Sequence, residues 1–220
     1  MEGIIIGIFV IVILIRLFTM LAGVQRYREP GERVDRRNED EYGTPARSYF
    51  TSRKIFTLHQ HIDITDADEK VVYYSDARFL SLHDHTDVFR ADGSVIAHIS
   101  RKLLTLHELH YVEMTNGRSF QLSNEILHII RDVTNIEGLG WVLEGNLLQL
   151  NFSLRDERGE LIATVGQKLL SLHDKYSVDI YKTEYEEEVI AILIALQHMI
   201  SDRQAASSSG GGASGSSSSS

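Results

Sequence analysis

VIAILIALQHMI, Val189 to Ile200, is apolar around nearly its whole circumference when wound at helical pitch. A helix of that composition is either enclosed by protein or immersed in lipid. At about twelve residues it is too short to span a bilayer's hydrocarbon unaided. Enclosure is the better solution, and the segments before it must supply the wall. Just upstream, Thr183 and Glu186 have capping-box spacing, and Glu184, Glu187 and Glu188 suit the positive end of a helix dipole. The helix is therefore expected to begin near Thr183.

The wall is legible as short strands. Runs with alternating or β-branched character include VVYYS from Val71, RSFQL from Arg118, ILHII from Ile126, WVLEG from Trp141 and LLQLNFSL from Leu147. Turn signals separate them, among them Asn116-Gly117, Gly138, Gly140 and Gly145-Asn146. Four copies of a basic, apolar, apolar, Ser/Thr, Leu, His hexad are interleaved: Lys54–His59, Arg78–His83, Lys102–His107 and Lys168–His173. The last two sit in longer stretches that align without gaps, one starting at Asp92 and the other at Arg158. Each has a turn glycine (Gly93, Gly159), an apolar run, the hexad, and a second run with an aromatic. Two runs around a short connection read as adjacent antiparallel strands, so the domain reads as a duplicated meander. About twelve strands at this spacing suit a barrel or sandwich. Trp141, Ile192, Leu193 and Leu196 are expected in its core.

These features resemble the LURP-one-related family of the Tubby C-terminal-like superfamily. The resemblance rests on the duplicated "turn Gly, apolar run, (R/Q)-K-L-L-(S/T)-L-H-(D/E)" at 93–108 and 159–174, on Gly140-Trp141-Val142 with Gly145, and on the terminal apolar helix ending Ile200-Ser201-Asp202. It covers residues 54–202 and implies a mainly β fold: a twelve-stranded closed antiparallel barrel threaded by a buried C-terminal helix. It also implies a role at membrane surfaces, because tubby domains bind phosphoinositides and scramblase-like members move phospholipids. No ligand motif of those relatives is matched here, so no ligand residue carries over.

Outside the domain, residues 3–24 read GIIIGIFVIVILIRLFTMLAGV, long enough for a transmembrane helix. Arg16 costs about 2.5–3.5 kcal/mol at a helix centre, and the surrounding Ile, Leu, Phe and Val return about 0.3–0.6 kcal/mol each. Insertion wins. A cleaved signal peptide would begin with a basic segment, whereas Glu2 is the only charged side chain ahead of the apolar run. Arg26, Arg28, Arg33, Arg36 and Arg37 follow the run and none precedes it, which places the N-terminus outside and the domain in the cytoplasm. The expected organisation is an anchor at 3–24, a charged linker at 25–53, the barrel at 54–203 and an unstructured Ser/Gly tail at 204–220.

Charge and motif content narrow the function. A formal net charge of −9 lacks the basic face that nucleic acid requires. The absence of cysteine removes thiol catalysis and thiolate metal sites. There is no G-x-S-x-G, P-loop, G-x-G-x-x-G or H-E-x-x-H, so neither an enzyme nor a cofactor is expected. His59 with His61, and His83 with His85, are i, i+2 pairs of the kind that could ligate a metal from one strand face. Repeat symmetry explains them as well. Arg101, Lys102 and Lys168 could hold a lipid phosphate, although residues 54–203 carry 14 basic and 24 acidic side chains. The expected function is a membrane-anchored, non-catalytic interaction or sensing module whose partner is a protein or a phospholipid head group; the alternatives are a phospholipid-binding or scramblase-like protein, and a metal-binding enzyme built on the His pairs.

Overall fold

The computed structural model describes residues 42–53, 61–78, 85–104, 107–123, 133–147, 150–167 and 174–209. Twelve strands precede one long helix: β1 (Arg47–Arg53), β2 (Ile62–Thr65), β3 (Val71–Arg78), β4 (His85–Arg90), β5 (Val95–Leu104), β6 (His107–Met114), β7 (Ser119–Ser123), β8 (Val133–Ile136), β9 (Trp141–Asn146), β10 (Asn151–Arg155), β11 (Leu161–Gln167) and β12 (Asp174–Ile180). A 3₁₀ turn at Thr183–Tyr185 leads into α1 (Glu186–Ser209). The strands make one antiparallel sheet in the order β7-β6-β5-β4-β3-β2-β1-β12-β11-β10-β9-β8. Both repeat hairpins are present, β5 on β6 and β11 on β12.

Every residue of α1 from Glu188 to Ile200 is buried. Ile192, Leu193 and Leu196 are at most 1% exposed, and they share one core with inward residues such as Ile64, Val88, Val112, Trp141, Leu154 and Val178. The all-round apolar surface of the helix is thus met by wall on all sides. That is the physical reason a period-2 pattern in the strands and an unpatterned helix coexist in one chain.

Barrel closure differs from the expectation. β7 and β8 are the two ends of the sheet, and an isolated bridge between Gln121 and Glu137 joins them, with Gln121 N–H donating to the Glu137 carbonyl at 3.0 Å. The barrel is nearly closed, with a seam. Both edge strands are short, which limits the ladder they can form. At the seam Gly138 has φ +96°, and a Cβ there would lie 2.6 Å from the Ser119 carbonyl oxygen. Only glycine lets the β8–β9 turn approach β7 this closely.

Three expected boundaries shift. The first strand begins at Arg47, inside the stretch read as linker, and it is inserted between β2 and β12. A fragment starting at residue 54 would therefore lack a wall strand. The helix continues to Ser209, into the stretch read as unstructured tail. Once the buried turns have nucleated a helix, Gln204, Ala205 and Ala206 add to it at low cost. The capping box does not form. Lys182 is the N-cap of the 3₁₀ turn with no side-chain cap bond, and the Glu186 carboxylate turns to the barrel wall instead. Among the described residues no helix is long and apolar enough to cross a membrane. The expected anchor at 3–24, most of the linker, the run from Ile126, and residues 210–220 lie outside them.

The connections sort the two ends of the barrel. At the end where α1 enters, five-residue turns of one design recur. Their closing bonds run from Asp66 to Lys70, Arg90 to Ser94, Met114 to Arg118 and Asp156 to Glu160, at 2.8–3.0 Å. The fourth residue is Glu69, Gly93, Gly117 or Gly159, each with φ between +60° and +88°. Such a φ is what turn glycines such as Gly93 and Gly159 provide. The ends of β1, β3, β5 and β11 that lead into the four hexads all lie at the opposite end.

Candidate functional site

The helix-entry end is built by three consecutive glutamates that reach different parts of the wall. Glu186, 4% exposed, accepts hydrogen bonds from Tyr49 Oη at 2.7 Å, Tyr73 Oη at 2.6 Å and Arg47 Nη1 at 2.8 Å. Burial first, and then the hydrogen bond to Glu186, push the Tyr49 hydroxyl up to about 12 and raise that of Tyr73 further. Glu187 accepts from Arg90 Nε at 2.7 Å on β4. Glu188, 1% exposed, accepts from Asn116 Nδ2 at 2.9 Å and Arg118 Nη1 at 3.1 Å in the β6–β7 turn. Three carboxylates in the first turn also suit the helix dipole.

Beside this anchorage opens a cleft of about 480 Å³. Its walls come from segments far apart in the chain: Arg118 and Ser119, Gly138 to Trp141, Asp156 to Glu160, and Lys182 to Tyr185. Trp141 packs edge-on against Tyr185 with ring centroids 4.9 Å apart, and the Arg118 guanidinium lies 5.1 Å over the Tyr185 ring. Lys182 Nζ donates to Asp156 Oδ2 at 2.6 Å and also to Glu160. The hydrogen bond from Lys182 holds the Asp156 carboxyl below the usual carboxylate range, and the two carboxylates raise Lys182 above the usual ammonium range. Arg118 is committed to Glu188, and Lys182 to Asp156 and Glu160. Arg158, Glu157 and Glu184 make no ion pair among the described residues. The uncommitted charge of the cleft is therefore one cation against two anions.

The residues singled out in the sequence fall elsewhere, apart from Trp141. Arg101 and Lys102 lie toward the hexad end of β5, and Lys168 lies outside the described residues. Arg101 is opposite His110 in the β5–β6 register, and its Nε is buried. His61 and His85 are exposed at the hexad ends of β2 and β4. His61 bonds to Asp63 at 3.0 Å. His59 and His83 lie outside the described residues. Among those described, no group of three or more His, Asp or Glu side chains is arranged to hold a metal ion.

Two polar features are set by strand order and burial rather than by a motif. His98 meets Asp87 across β4 and β5, Nδ1 to Oδ1 at 2.6 Å. His110, 3% exposed and facing inward, has its imidazole pushed down to about 3, first by burial and then by His198 and Arg101. The sign of its effect on stability follows. Below an ordinary histidine value of about 6.5 the unfolded chain takes up a proton at His110 that the folded chain refuses. Stability is therefore lost as pH falls from about 6.5 toward 3. Moving from pH 7 to pH 4 is expected to cost about 3 kcal/mol through this side chain, read as a drop in the urea midpoint. His110→Asn should flatten that dependence, and an unchanged slope in the variant would place the acid sensitivity elsewhere.

The family model described as LURP-one-related matches residues 47–197, the span from the first strand to the buried helix. A solved X-ray structure of a protein from Arabidopsis thaliana is similar at 14% identity, covering 76% of this chain and 99% of that one, with a TM-score of 0.44. No curated protein matches the chain. The family match starts at Arg47, where the structure also puts the start of the barrel, and it spans most of the chain; this chain belongs to the LURP-one-related family.

Proposed function

We propose that the chain is a membrane-tethered, non-catalytic recognition module, anchored by residues 3–24 with its barrel on the cytoplasmic side, whose partner docks in the cleft at the helix-entry end. The cleft carries this reading. Four separate segments converge on it, the Trp141–Tyr185 pair gives it a rigid aromatic wall, and its volume falls within the roughly 300–1,000 Å³ typical of ligand sites. Its acids and bases are mostly spent on one another, which suits holding a shape better than moving protons. The tether is tested by fractionation. The full chain is expected to stay with membranes through alkaline carbonate, and a chain lacking residues 1–41 is expected to be released. Extraction of the full chain by carbonate would remove the anchor from the proposal.

A second reading, recognition of a phospholipid head group, is favoured by charge placement. Arg53, Arg78, Arg101, Lys102 and Lys175 all occupy strand positions toward the hexad end, away from the acidic helix-entry end. In that case the chain lacking residues 1–41 would float with phosphatidylserine vesicles at moderate salt.

A further inference from the structure

We infer that the barrel interior at the hexad end binds a phosphate group between α1 and strands β5 and β6, where Gln197, Arg101, His110 and His198 meet it. The site is separate from the cleft, and it stands for a free phosphate as well as for one carried by a lipid.

Gln197 is the observation that points to a ligand. It is 1% exposed in the buried stretch of α1, about 16 Å along the helix from Glu186 at 1.5 Å per residue. Neither its Nε2 nor its Oε1 has a hydrogen-bond partner in the protein. A buried amide unsatisfied at both ends costs far more than the leucine that would fill the same space. Something that both accepts and donates is needed to offset that cost.

The wall beside this stretch of α1 is basic. The helix lies against β5 and β6, and Arg101 on β5 stands opposite His110 on β6. Both follow the inward alternation set by the neighbouring buried pair Ile99 and Val112. Arg101 is half-buried with its Nε enclosed, so it forms the outer part of the site, while His110 at 3% and His198 at 7% exposure lie deeper. Among the described residues, the ionisable groups that act on the His110 imidazole are His198 and Arg101, and both oppose its protonation. The repeat-related positions are Gln167 and Tyr176, so this basic lining belongs to one half of the barrel only.

The lining also selects the anion. A guanidinium fork suits a phosphate or a carboxylate. Gln197 Oε1, however, calls for a donor, and an ionised carboxylate has none. A phosphate monoester near its second ionisation, at about pH 6, carries acceptor oxygens together with one O–H. It can therefore take the Arg101 guanidinium and the Gln197 Nε2 while donating to Oε1. Sulfate has the same shape but no proton to give.

Thermal unfolding of the full chain in dodecyl maltoside micelles at pH 6.5, followed by the fluorescence of its single tryptophan, Trp141, tests this. At 10 mM and matched ionic strength, inorganic phosphate is expected to raise the midpoint by about 3–6 °C over chloride, and sulfate by much less. Gln197→Leu should melt above wild type in chloride and lose the phosphate shift; Arg101→Gln should lose at least half of it. Dihexanoyl phosphatidic acid identifies the source: a shift matching that of inorganic phosphate means that the free anion suffices, and a shift with the lipid alone assigns the site to a lipid phosphate. Several results overturn the inference: no shift with either phosphate, an equal shift with sulfate, a shift retained in full by either variant, or a Gln197→Leu protein that melts below wild type in chloride. Because inorganic phosphate needs no bilayer, failure of the vesicle flotation above leaves this site standing, and failure here leaves surface recognition of a head group standing.

Discussion

Leu193→Asp is expected to leave no cooperatively folded domain. Leu193 is 1% exposed at the middle of a helix whose neighbours in the chain, Ile192 and Ile194, are equally buried. No face of α1 between Glu188 and Ile200 reaches water, so rotation cannot bring a carboxylate out. Removing the leucine alone costs about 2–5 kcal/mol. Burying an acid without a partner adds several more, by desolvation or by forced protonation. The sum approaches the roughly 5–15 kcal/mol that holds a domain together. Limited proteolysis and near-ultraviolet circular dichroism should show a barrel that is cleaved throughout and has lost fixed aromatic packing. The near-isosteric Leu193→Met should cost less than about 1.5 kcal/mol. A protease-resistant, cooperatively melting Leu193→Asp protein would mean that the helix does not lie inside the wall.

That experiment probes the feature most readable in the sequence. An apolar helix too short for a bilayer has few places to go, and the duplicated hairpins name what surrounds it. The hexads were informative because they mark strand ends, so their recurrence counted the meander. Three things were hidden. Strand β1 reads RSYFTSR, flanked by charge and proline, and it becomes a strand only because Tyr49, Phe50 and Thr51 are sealed between β2 and β12. That is a long-range pairing no local window contains. The turn at Asp66–Lys70 carries Glu69 where its sister turns carry glycine, so the glycine signal missed it. The cleft was invisible for a related reason: Trp141 was legible as core, but its partner Tyr185 and the acids at 156–160 and 184 look like ordinary turn residues until the strand order brings them together. The Thr183–Glu186 spacing misled in the opposite sense. It matches a local cap, but two buried tyrosines and an arginine offer the carboxylate a stronger set of partners.

Glu186→Ala should cost about 3–5 kcal/mol, far more than deletion of a surface carboxylate. The side chain is 4% exposed and receives Arg47, Tyr49 and Tyr73 from two strands, 113 to 139 residues away in the chain. Alanine would leave two buried hydroxyls without their acceptor, each a penalty of about 1–3 kcal/mol. It would also release the first turn of the helix from the wall. Glu186→Gln keeps an acceptor oxygen and should fall between alanine and wild type. The midpoint of urea unfolding at constant slope measures the difference, and a Glu186→Ala midpoint within 0.5 kcal/mol of wild type would show that the tyrosines find other partners. Alkali gives an independent reading of the same contacts. Unfolded tyrosines ionise near pH 10, while Tyr49 is pushed up to about 12 and Tyr73 beyond it. The stabilisation is intact below pH 10 and lost above it, by up to about 1.4 kcal/mol per pH unit for each tyrosine. Tyr49→Phe/Tyr73→Phe removes both groups, so that variant should be less stable than wild type at pH 8 and should close part of the gap by pH 11.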